Sequence, residues 1–554
     1  MRRRGLAPLL AIGVTATLAP ALTTSTASAA QPGAAQPGTA QAGTAQAAAP
    51  ASATASALDP YVKQKPKWQR CEADKPAEYQ CATIKVPLDY RAPGGKRIDM
   101  AISRIKTTTP DKRHGVLLAN PGGPGGPGLD MPLQMREMLP ESARQGYDLI
   151  GFDPRGVGRS TPVTCGLTTE EENWLRPYKE ATFDKDVAWA RDVARKCRAK
   201  SGATLKHITT RNTARDMDLL RAILGEKKLS YFGYSYGTYL GAVYTQLFPS
   251  RADRVVVDSA VDPARAWRKM IQWWAEGAEP AFDRWAEWAA ERSEKYGLGD
   301  TPKKVDRTFW DLVQRANEKP IEMDGEKYTG DDVRSMMRRA VFTVREGTDL
   351  VVELRKAAEG EPAAAEKLPD PAGTPRLAAP AADVPSDNMT ASFWAVVCND
   401  NSAAWSRDPE SYRRDAIEDK GRYPLYGDFA SSIKPCAFWD RSVERATVVN
   451  NKVGSLVVQN EWDSQTPLPS GQALHADLKG SRMLTVLGGE GHGVYPSGNA
   501  CTDGTVADYL TTGKLPAKDV TCEATGDSND GAQEDRKRDV HPGAPLPQRS
   551  PDRF

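Results

Sequence analysis

Residues 229–239 have the sequence LSYFGYSYGTY, in which Ser235 is the centre of a Gly-x-Ser-x-Gly motif. The residues before the serine are typical of a buried strand, and the residues after it are typical of a packed helix. Gly233 and Gly237 permit the sharp strand-to-helix turn on which a nucleophilic serine is exposed. The five-residue motif recurs by chance in long chains, but its position between a strand and a helix makes Ser235 our candidate nucleophile.

A serine hydroxyl needs a base that takes its proton. The chain has five histidines, so few candidates have to be compared. His492 lies in the loop LGGEGHG, residues 487–493, directly after the predicted strand 483–486. A loop in this place lets a histidine reach sideways to the serine, and we therefore predict that His492 is the base.

The histidine in turn needs an acid that fixes its tautomer. Asp463 follows the predicted strand 455–458 and precedes His492 by 29 positions. It therefore completes the chain order serine, acid, histidine of the α/β-hydrolase fold. Glu461 is a near rival, Asp258 is a weaker alternative, and a helix-capping role is the structural reading of Asp463.

Short β-rich runs alternate with helical patterns along most of the chain. This alternation predicts an α/β-hydrolase fold, with a mostly parallel central sheet that has helices on both faces. Catalytic residues in such sheets collect at the carboxyl ends of the strands. Each motif described here follows one of the predicted strands, which are 116–119, 147–152, 229–233, 255–257, 455–458 and 483–486.

An acyl-transfer site also needs donors for its oxyanion. We expect one of them to be the backbone N–H of Tyr236, next to the nucleophile. The second is expected from the loop NPGGPGG, residues 120–126, because glycines let backbone N–H groups approach a substrate closely. A loop rich in Gly and Pro can also be only a tight connection after a strand. The assignment of this loop therefore depends on Ser235 being the nucleophile.

The ends of the chain are predicted to lie outside the folded part. Arg2, Arg3 and Arg4 precede an apolar stretch, and Ala27-Ser28-Ala29 has the small-x-small pattern of a cleavage site, which together indicate a signal peptide. The predicted organisation is a signal peptide at 1–29, a disordered linker or pro-segment at 30–58, a first core part at 59–261, a tryptophan-rich helical cap at 262–388, a second core part at 389–523 and a disordered tail at 524–554.

Eight cysteines are consistent with export, because disulfides persist in oxidising compartments. None of them has the spacing of a zinc or redox site. Pairing in sequence order is the simplest expectation, although many connectivities are possible. The pairs would then be Cys71 with Cys81, Cys165 with Cys197, Cys398 with Cys436, and Cys501 with Cys522.

The charge of the chain is nearly balanced, with 74 basic and 72 acidic side chains. It gives no electrostatic reason to expect nucleic acid or an anionic membrane as a partner. The apolar stretch near the N-terminus is short and interrupted, so we expect no stable membrane insertion. Hydrolysis by a serine nucleophile requires no metal and no organic cofactor. Nothing in the sequence indicates an oligomeric state.

With these residues in place, the chain resembles the secreted tripeptidyl aminopeptidases of actinobacteria, which are related to the prolyl aminopeptidases among the α/β-hydrolases. The resemblance covers about Trp68 to Glu523. It is carried by residues 120–128, the sequence GFDPRGVGRS at 151–160, the turn around Ser235, Asp463 with Thr466-Pro467, and Gly491-His492-Gly493.

The resemblance implies that the protein removes short fragments from peptides with free N-termini, outside the cell. Association with the cell wall is left open. The resemblance also implies that the backbone N–H of Gly123 is the loop donor to the oxyanion. Prolyl aminopeptidases usually have histidine before the two glycines, whereas Pro121 stands there in this chain, which suits the tripeptidyl branch.

Recognition of a free amine needs a carboxylate, since a desolvated ammonium group must be paired. Asp400 is our candidate, with a helix cap or a polar residue beside a disulfide as the structural alternative. Two other functions stay open at this stage. One is a secreted esterase or lipase with the same three residues, and the other is a catalytically silent binding protein with the same fold.

Overall fold

The structure is a computed structural model that describes residues 51–323, 325–363 and 383–525. The predicted signal peptide, most of the linker, nearly all of the tail and part of the predicted cap lie outside the described residues. Helix α1, Ala51–Val62, begins inside the predicted linker. Its alanine-rich sequence favours helix, which composition alone did not indicate.

Ten strands form the central sheet, in the order β1-β2-β3-β5-β4-β6-β7-β10-β11-β12. The strands from β5 to β12 along this order pair in parallel, whereas β1, β2 and β3 form an antiparallel edge. The bounds are β1 Gln69–Arg70, β2 Gln80–Pro87, β3 Arg97–Ile105, β4 Gly115–Asn120, β5 Tyr147–Phe152, β6 Leu229–Tyr234, β7 Ala252–Asp258, β8 Ile321–Met323, β9 Glu326–Tyr328, β10 Ser455–Trp462, β11 Arg482–Glu490 and β12 Val520–Glu523.

Helices cover both faces of this sheet. Leu118 packs into one hydrophobic cluster with α6 and α7, while its neighbour Leu117 packs into another with α2 and α17, because successive side chains of a strand point to opposite faces. The remaining helices are α2 Met131–Met138, α3 Glu141–Arg144, α4 Thr169–Glu172, α5 Phe183–Leu205, α6 Thr210–Ile223, α7 Tyr236–Leu247, α8 Arg268–Glu291, α9 Ser293–Tyr296, α10 Pro302–Glu318, α11 Gly330–Ala340, α12 Val344–Glu359, α13 Asn388–Asp400, α14 Pro409–Arg422, α15 Gly427–Ser431, α16 Leu468–Asp477 and α17 Ala500–Thr512.

These layers confirm the predicted α/β-hydrolase fold. Strands buried on both faces need continuous apolar runs such as Val255-Val256-Val257, and this is the pattern from which the strands were predicted. Within the described ranges, no helix combines the length and the apolar character that a membrane span requires.

A helical insertion separates two neighbouring strands of the sheet. Strands β7 and β10 pair directly, yet helices α8 to α15 lie between them in sequence. Part of this insertion has its own hydrophobic core, which contains Trp285, Phe309 and Met337. The sequence showed no convincing strand here, and the structure adds the short antiparallel hairpin of β8 and β9.

The structure pairs all eight cysteines in sequence order, which confirms the simplest expectation. Two bridges lie near the ends of the described fold, and the other two fasten helices α5 and α13 to neighbouring segments. The bonds are Cys71–Cys81, Cys165–Cys197, Cys398–Cys436 and Cys501–Cys522.

Candidate active site

Ser235 lies at the sharp turn between β6 and α7. Its backbone has φ 53° and ψ −120°, an unusual conformation for a residue with a side chain. Such strain costs on the order of 1–3 kcal/mol and collects at functional sites. A Cβ on Gly233 would lie 2.5 Å from the carbonyl oxygen of Gly237, so the turn requires glycine there.

Asp463 is held in the turn that follows β10. Its Oδ1 accepts hydrogen bonds from the backbone N–H groups of Gln465 at 2.8 Å and Thr466 at 2.9 Å. The Thr466 hydroxyl donates to Oδ2 at 2.7 Å. Burial alone would raise the pKa of Asp463, but the charge and hydrogen bond of His492 and the bonds from Thr466 outweigh it and lower the pKa.

His492 follows β11 and contacts this carboxylate. Its Nδ1 lies 2.9 Å from Oδ2 of Asp463, so the acid holds one ring nitrogen. The other, Nε2, is buried and has no hydrogen-bond partner among the residues that the structure describes. Glu461, the rival acid, instead accepts the N–H of Gly488 at 2.7 Å. The contact with His492 thus favours Asp463 over Glu461 as the candidate acid.

Asp258, the weaker alternative, has a different place. It ends β7, and its carboxylate accepts the backbone N–H groups of Val494 at 2.9 Å and Tyr495 at 2.8 Å. Its own carbonyl oxygen accepts the N–H of Ser235 at 3.0 Å. Asp258 therefore connects the serine turn to the histidine loop, and burial raises its pKa to about 7.

Sequence reasoning missed this positioning role of Asp258. The available signal was a carboxylate at the end of a buried strand, and this strand is the next one in sequence after the strand that leads to Ser235. That signal is compatible with an acid of the triad as well as with a loop anchor. Only the contacts in three dimensions distinguish the two.

The glycine loop after β4 packs against the serine turn. Gly122 has φ 102°, and a Cβ there would lie 2.7 Å from the carbonyl oxygen of Tyr234. Gly123, Ser235 and Tyr236 line one cleft, so the two expected oxyanion donors and the serine lie together. Tyr236 is the first residue of α7, where N–H groups lack a partner within the helix.

Asp153 holds the far end of the glycine loop. Its carboxylate accepts the N–H of Gly128 at 2.9 Å and that of Arg159 at 2.8 Å. Burial raises its pKa to about 6 despite these bonds. The motif at 151–160 thus positions the loop rather than contacting the cleft.

The other walls of the cleft are mostly apolar and come from distant parts of the chain. Helix α8 and the residue before it contribute one part of the lining, and α13 contributes another. The turn after Asp463 adds the polar residues Gln465 and Thr466. The apolar residues of these walls are Val261, Trp267, Met270, Ile271, Trp274, Phe393 and Val397.

Comparisons with known proteins agree with this fold. The model of the α/β-hydrolase fold matches residues 115–308, and the model of TAP-like proteins matches residues 423–522. A tripeptidyl aminopeptidase of Streptomyces lividans is 36% identical over 479 residues, which cover 82% of this chain and 86% of that protein. The chain belongs to the tripeptidyl aminopeptidase family. This membership confirms the resemblance inferred from the motifs.

Two more distant relatives of this family member have other names. The serine protease Hip1 of Mycobacterium tuberculosis is 28% identical, with 84% of this chain and 93% of that protein covered. The carboxylesterase B of Mycobacterium tuberculosis is 30% identical, with 84% and 91% covered.

Asp400, the predicted amine-binding residue, contacts Trp267, which lines the cleft. One oxygen accepts the N–H of Thr210 at 2.7 Å, and the other accepts the hydroxyl of Thr210 at 2.6 Å and Nε1 of Trp267 at 3.1 Å. Burial raises its pKa to about 6. These contacts account for Asp400 without a ligand, and amine binding by this residue stays a prediction.

Proposed function

We propose that the protein is an exported serine exopeptidase that removes tripeptides from the free N-termini of peptides. One observation carries this proposal: Asp463 holds Nδ1 of His492 at 2.9 Å and leaves Nε2 without a partner among the described residues, while Asp258 bonds to both the strained Ser235 and the loop after His492. The named activity of the Streptomyces lividans relative supports the substrate class.

In the proposed acylation step, Nε2 of His492 takes the proton of Ser235 Oγ as this oxygen attacks the peptide carbonyl. The negative charge of Asp463 stabilises the imidazolium that forms. The backbone N–H groups of Tyr236 and Gly123 donate to the oxyanion of the tetrahedral intermediate. The carbon–nitrogen bond then breaks, and the leaving amine takes the proton from His492.

Deacylation reverses the roles of the same groups. His492 takes a proton from a water molecule, whose oxygen attacks the acyl-enzyme carbonyl. The carbon–Oγ bond breaks, Ser235 regains the proton, and the released fragment ends in a new carboxylate. Asp258 supports both steps because its hydrogen bonds hold the serine turn and the histidine loop in a fixed relative position.

The surroundings of Ser235 support an exopeptidase rather than an open endopeptidase cleft. Trp267, Trp274 and Phe393 line the cleft together with Ser235. A small apolar cleft of this kind admits a limited length of chain on the acyl side of the scissile bond. Export is proposed from the predicted signal peptide, with which the four disulfides are consistent.

An esterase is the second candidate, because ester and amide hydrolysis use the same groups and one relative is named carboxylesterase B. Blocking the substrate amine separates the two. We expect that N-acetylation of a tetrapeptide lowers kcat/KM by at least about tenfold, since a desolvated ammonium group is bound by charge. Equal rates on free and acetylated peptides would refute the aminopeptidase reading.

A series of peptides of different lengths identifies the fragment that the protein releases. Free-amine peptides of four to six residues are incubated with the protein, and the products are weighed by mass spectrometry. The proposal predicts that the first product is always a tripeptide. Release of single residues would instead indicate a prolyl-type aminopeptidase.

Replacement of the nucleophile tests the catalytic assignment. We expect Ser235→Ala to lower kcat by a factor on the order of 10⁶, as in other enzymes with this triad. Ser250→Ala is the matched control, since Ser250 is exposed just beyond α7. Unchanged hydrolysis by the Ser235→Ala protein would rule out both the peptidase and the esterase.

A further inference from the structure

A buried arginine lies between the insertion and the catalytic turn. Arg338 is on α11 and is only 3% exposed. Its guanidinium donates a hydrogen bond to Oε1 of Gln465 and lies 5.1 Å from the ring centroid of Trp274 and 5.6 Å from that of Phe342. Its buried Nε has no hydrogen-bond partner among the described residues.

Two other buried arginines have carboxylate partners. Arg155 forms an ion pair with Asp216 at 2.7 Å, and Arg334, one turn before Arg338 on the same helix, pairs with Asp428. Within the described part of the chain, no carboxylate lies at ion-pair distance from Arg338. The Asp463 carboxylate attracts it from further away, but that group already holds His492 and Thr466.

An arginine in this setting keeps its charge. Burial lowers the pKa of Arg338 to about 10, which still leaves the side chain protonated at neutral pH. A buried charge without a counterion is unfavourable, and charged groups in such settings are concentrated at functional sites. The stacked aromatic rings offset part of this cost.

The neighbours of Arg338 place it beside the reacting groups. Gln465 and Trp274, which contact the guanidinium, line the cleft together with Ser235. Phe342 is half-buried, and its ring centroid lies 6.1 Å from that of His492. The guanidinium therefore contacts two residues that line the cleft.

We propose that Arg338, together with the amide of Gln465, forms a subsite for a carboxylate that the substrate carries next to the scissile bond. This inference rests on the proposed function. Arginine suits the task because its planar fork binds a carboxylate through two parallel hydrogen bonds. The carboxylate comes either from an acidic side chain or from the free C-terminus of a short leaving group.

The test uses free-amine tetrapeptides in three matched pairs. The first pair differs in a free or amidated C-terminus. The second has Asp or Asn as the fourth residue of the amidated peptide, and the third has Asp or Asn as its third residue. For at least one pair, we expect kcat/KM to favour the carboxylate by about tenfold or more, and the responsive pair identifies the source of the carboxylate.

The preference should depend on the charge of residue 338. In Arg338→Met, the ratio within the responsive pair should fall below twofold, while Arg338→Lys should keep part of it. Arg345→Gln is the control, because Arg345 lies on the next helix, is partly exposed and faces Asp349. Thermal unfolding checks that each variant is folded.

Two results would overturn the subsite: ratios below twofold for all three pairs in the unchanged protein, or a preference that survives in Arg338→Met. If no peptide is hydrolysed, the proposed function fails instead. The 4-nitrophenyl esters of succinate and butyrate then measure the same ratio. A succinate preference that Arg338→Met removes supports the subsite, and equal rates on the two esters reject it.

Discussion

At the scale of single residues, Asp400 shows how a buried carboxylate acquires a role. It connects the N-terminus of α6 to Trp267, which is a wall of the cleft. Asp387 makes the same number of contacts elsewhere, accepting the N–H groups of Cys165 and Leu167 and the hydroxyl of Thr164. A carboxylate satisfied by three protein donors needs no ligand to explain its burial.

We therefore expect Asp400→Asn to reduce the free energy of unfolding by about 1–3 kcal/mol, because the new amide nitrogen faces the Trp267 donor. The ratio of activity on free-amine and acetylated peptides should stay within twofold. Asp387→Asn is the matched control and should behave alike in both assays. A selective rise in KM for free-amine peptides in Asp400→Asn alone would show that Asp400 binds the amine.

The pH dependence of stability checks the burial of Asp400. Its pKa of about 6 in the folded chain lies above the ordinary value, so its contribution is full below about pH 4 and is lost as the pH rises through 6. The free energy of unfolding of Asp400→Asn, taken relative to that of the unchanged protein, should therefore rise by up to about 3 kcal/mol between pH 4 and pH 7. Urea unfolding at several pH values measures this difference, and a constant difference would contradict the assignment.

At the scale of elements, helix α8 is fastened to the loop that carries His492, the proposed base. Arg284 of α8 forms an ion pair with Glu490, two positions before His492. The Glu490 carboxylate also accepts the N–H of Val344, the first residue of α12, at 3.4 Å. The insertion thus contributes to the position of His492 as well as to the cleft walls.

Loss of this charge should loosen the histidine loop. We expect Glu490→Gln to reduce the free energy of unfolding by about 1–3 kcal/mol and kcat by about tenfold, since the pair is largely buried. Asp300→Asn, which removes the exposed pair with Lys304, should change neither quantity measurably. Equal effects of the two variants would show that Glu490 contributes only general charge balance.

At the scale of the whole molecule, the disulfides fasten segments with different relations to the cleft. Cys398–Cys436 holds α13, which carries Phe393 and Val397 of the cleft wall. Cys501–Cys522 connects α17 to the edge strand β12. They span 38 and 21 residues, so their entropic contributions differ by only about 0.5 kcal/mol.

Replacing both cysteines of either bridge by serine should therefore destabilise the fold by a similar amount, about 2–4 kcal/mol. Only the Cys398→Ser/Cys436→Ser protein should also show a raised KM, because the cleft wall loses its anchor. Urea unfolding and peptide kinetics under non-reducing conditions measure both effects. A raised KM in the Cys501→Ser/Cys522→Ser protein would indicate that the cleft responds to stability alone.

The sequence by itself determined the parts of this protein that depend on local chain chemistry. The Gly-x-Ser-x-Gly turn, the apolar runs of the strands and the order of Ser235, Asp463 and His492 are properties of short segments and their sequence. From them, the fold class and the family followed before any contact was known. For the cysteines, the sequence supplied only the simplest expectation, pairing in order, which the structure confirms.

The tertiary structure decided what depends on contacts between distant segments. It separated Asp463 from Glu461, gave Asp258 its role as an anchor, and assembled the cleft from α8 and α13. It also showed that Arg338 is a buried cation without a carboxylate partner among the described residues. A sequence pattern indicates that a residue is charged, but its burial and its partner depend on how distant side chains pack.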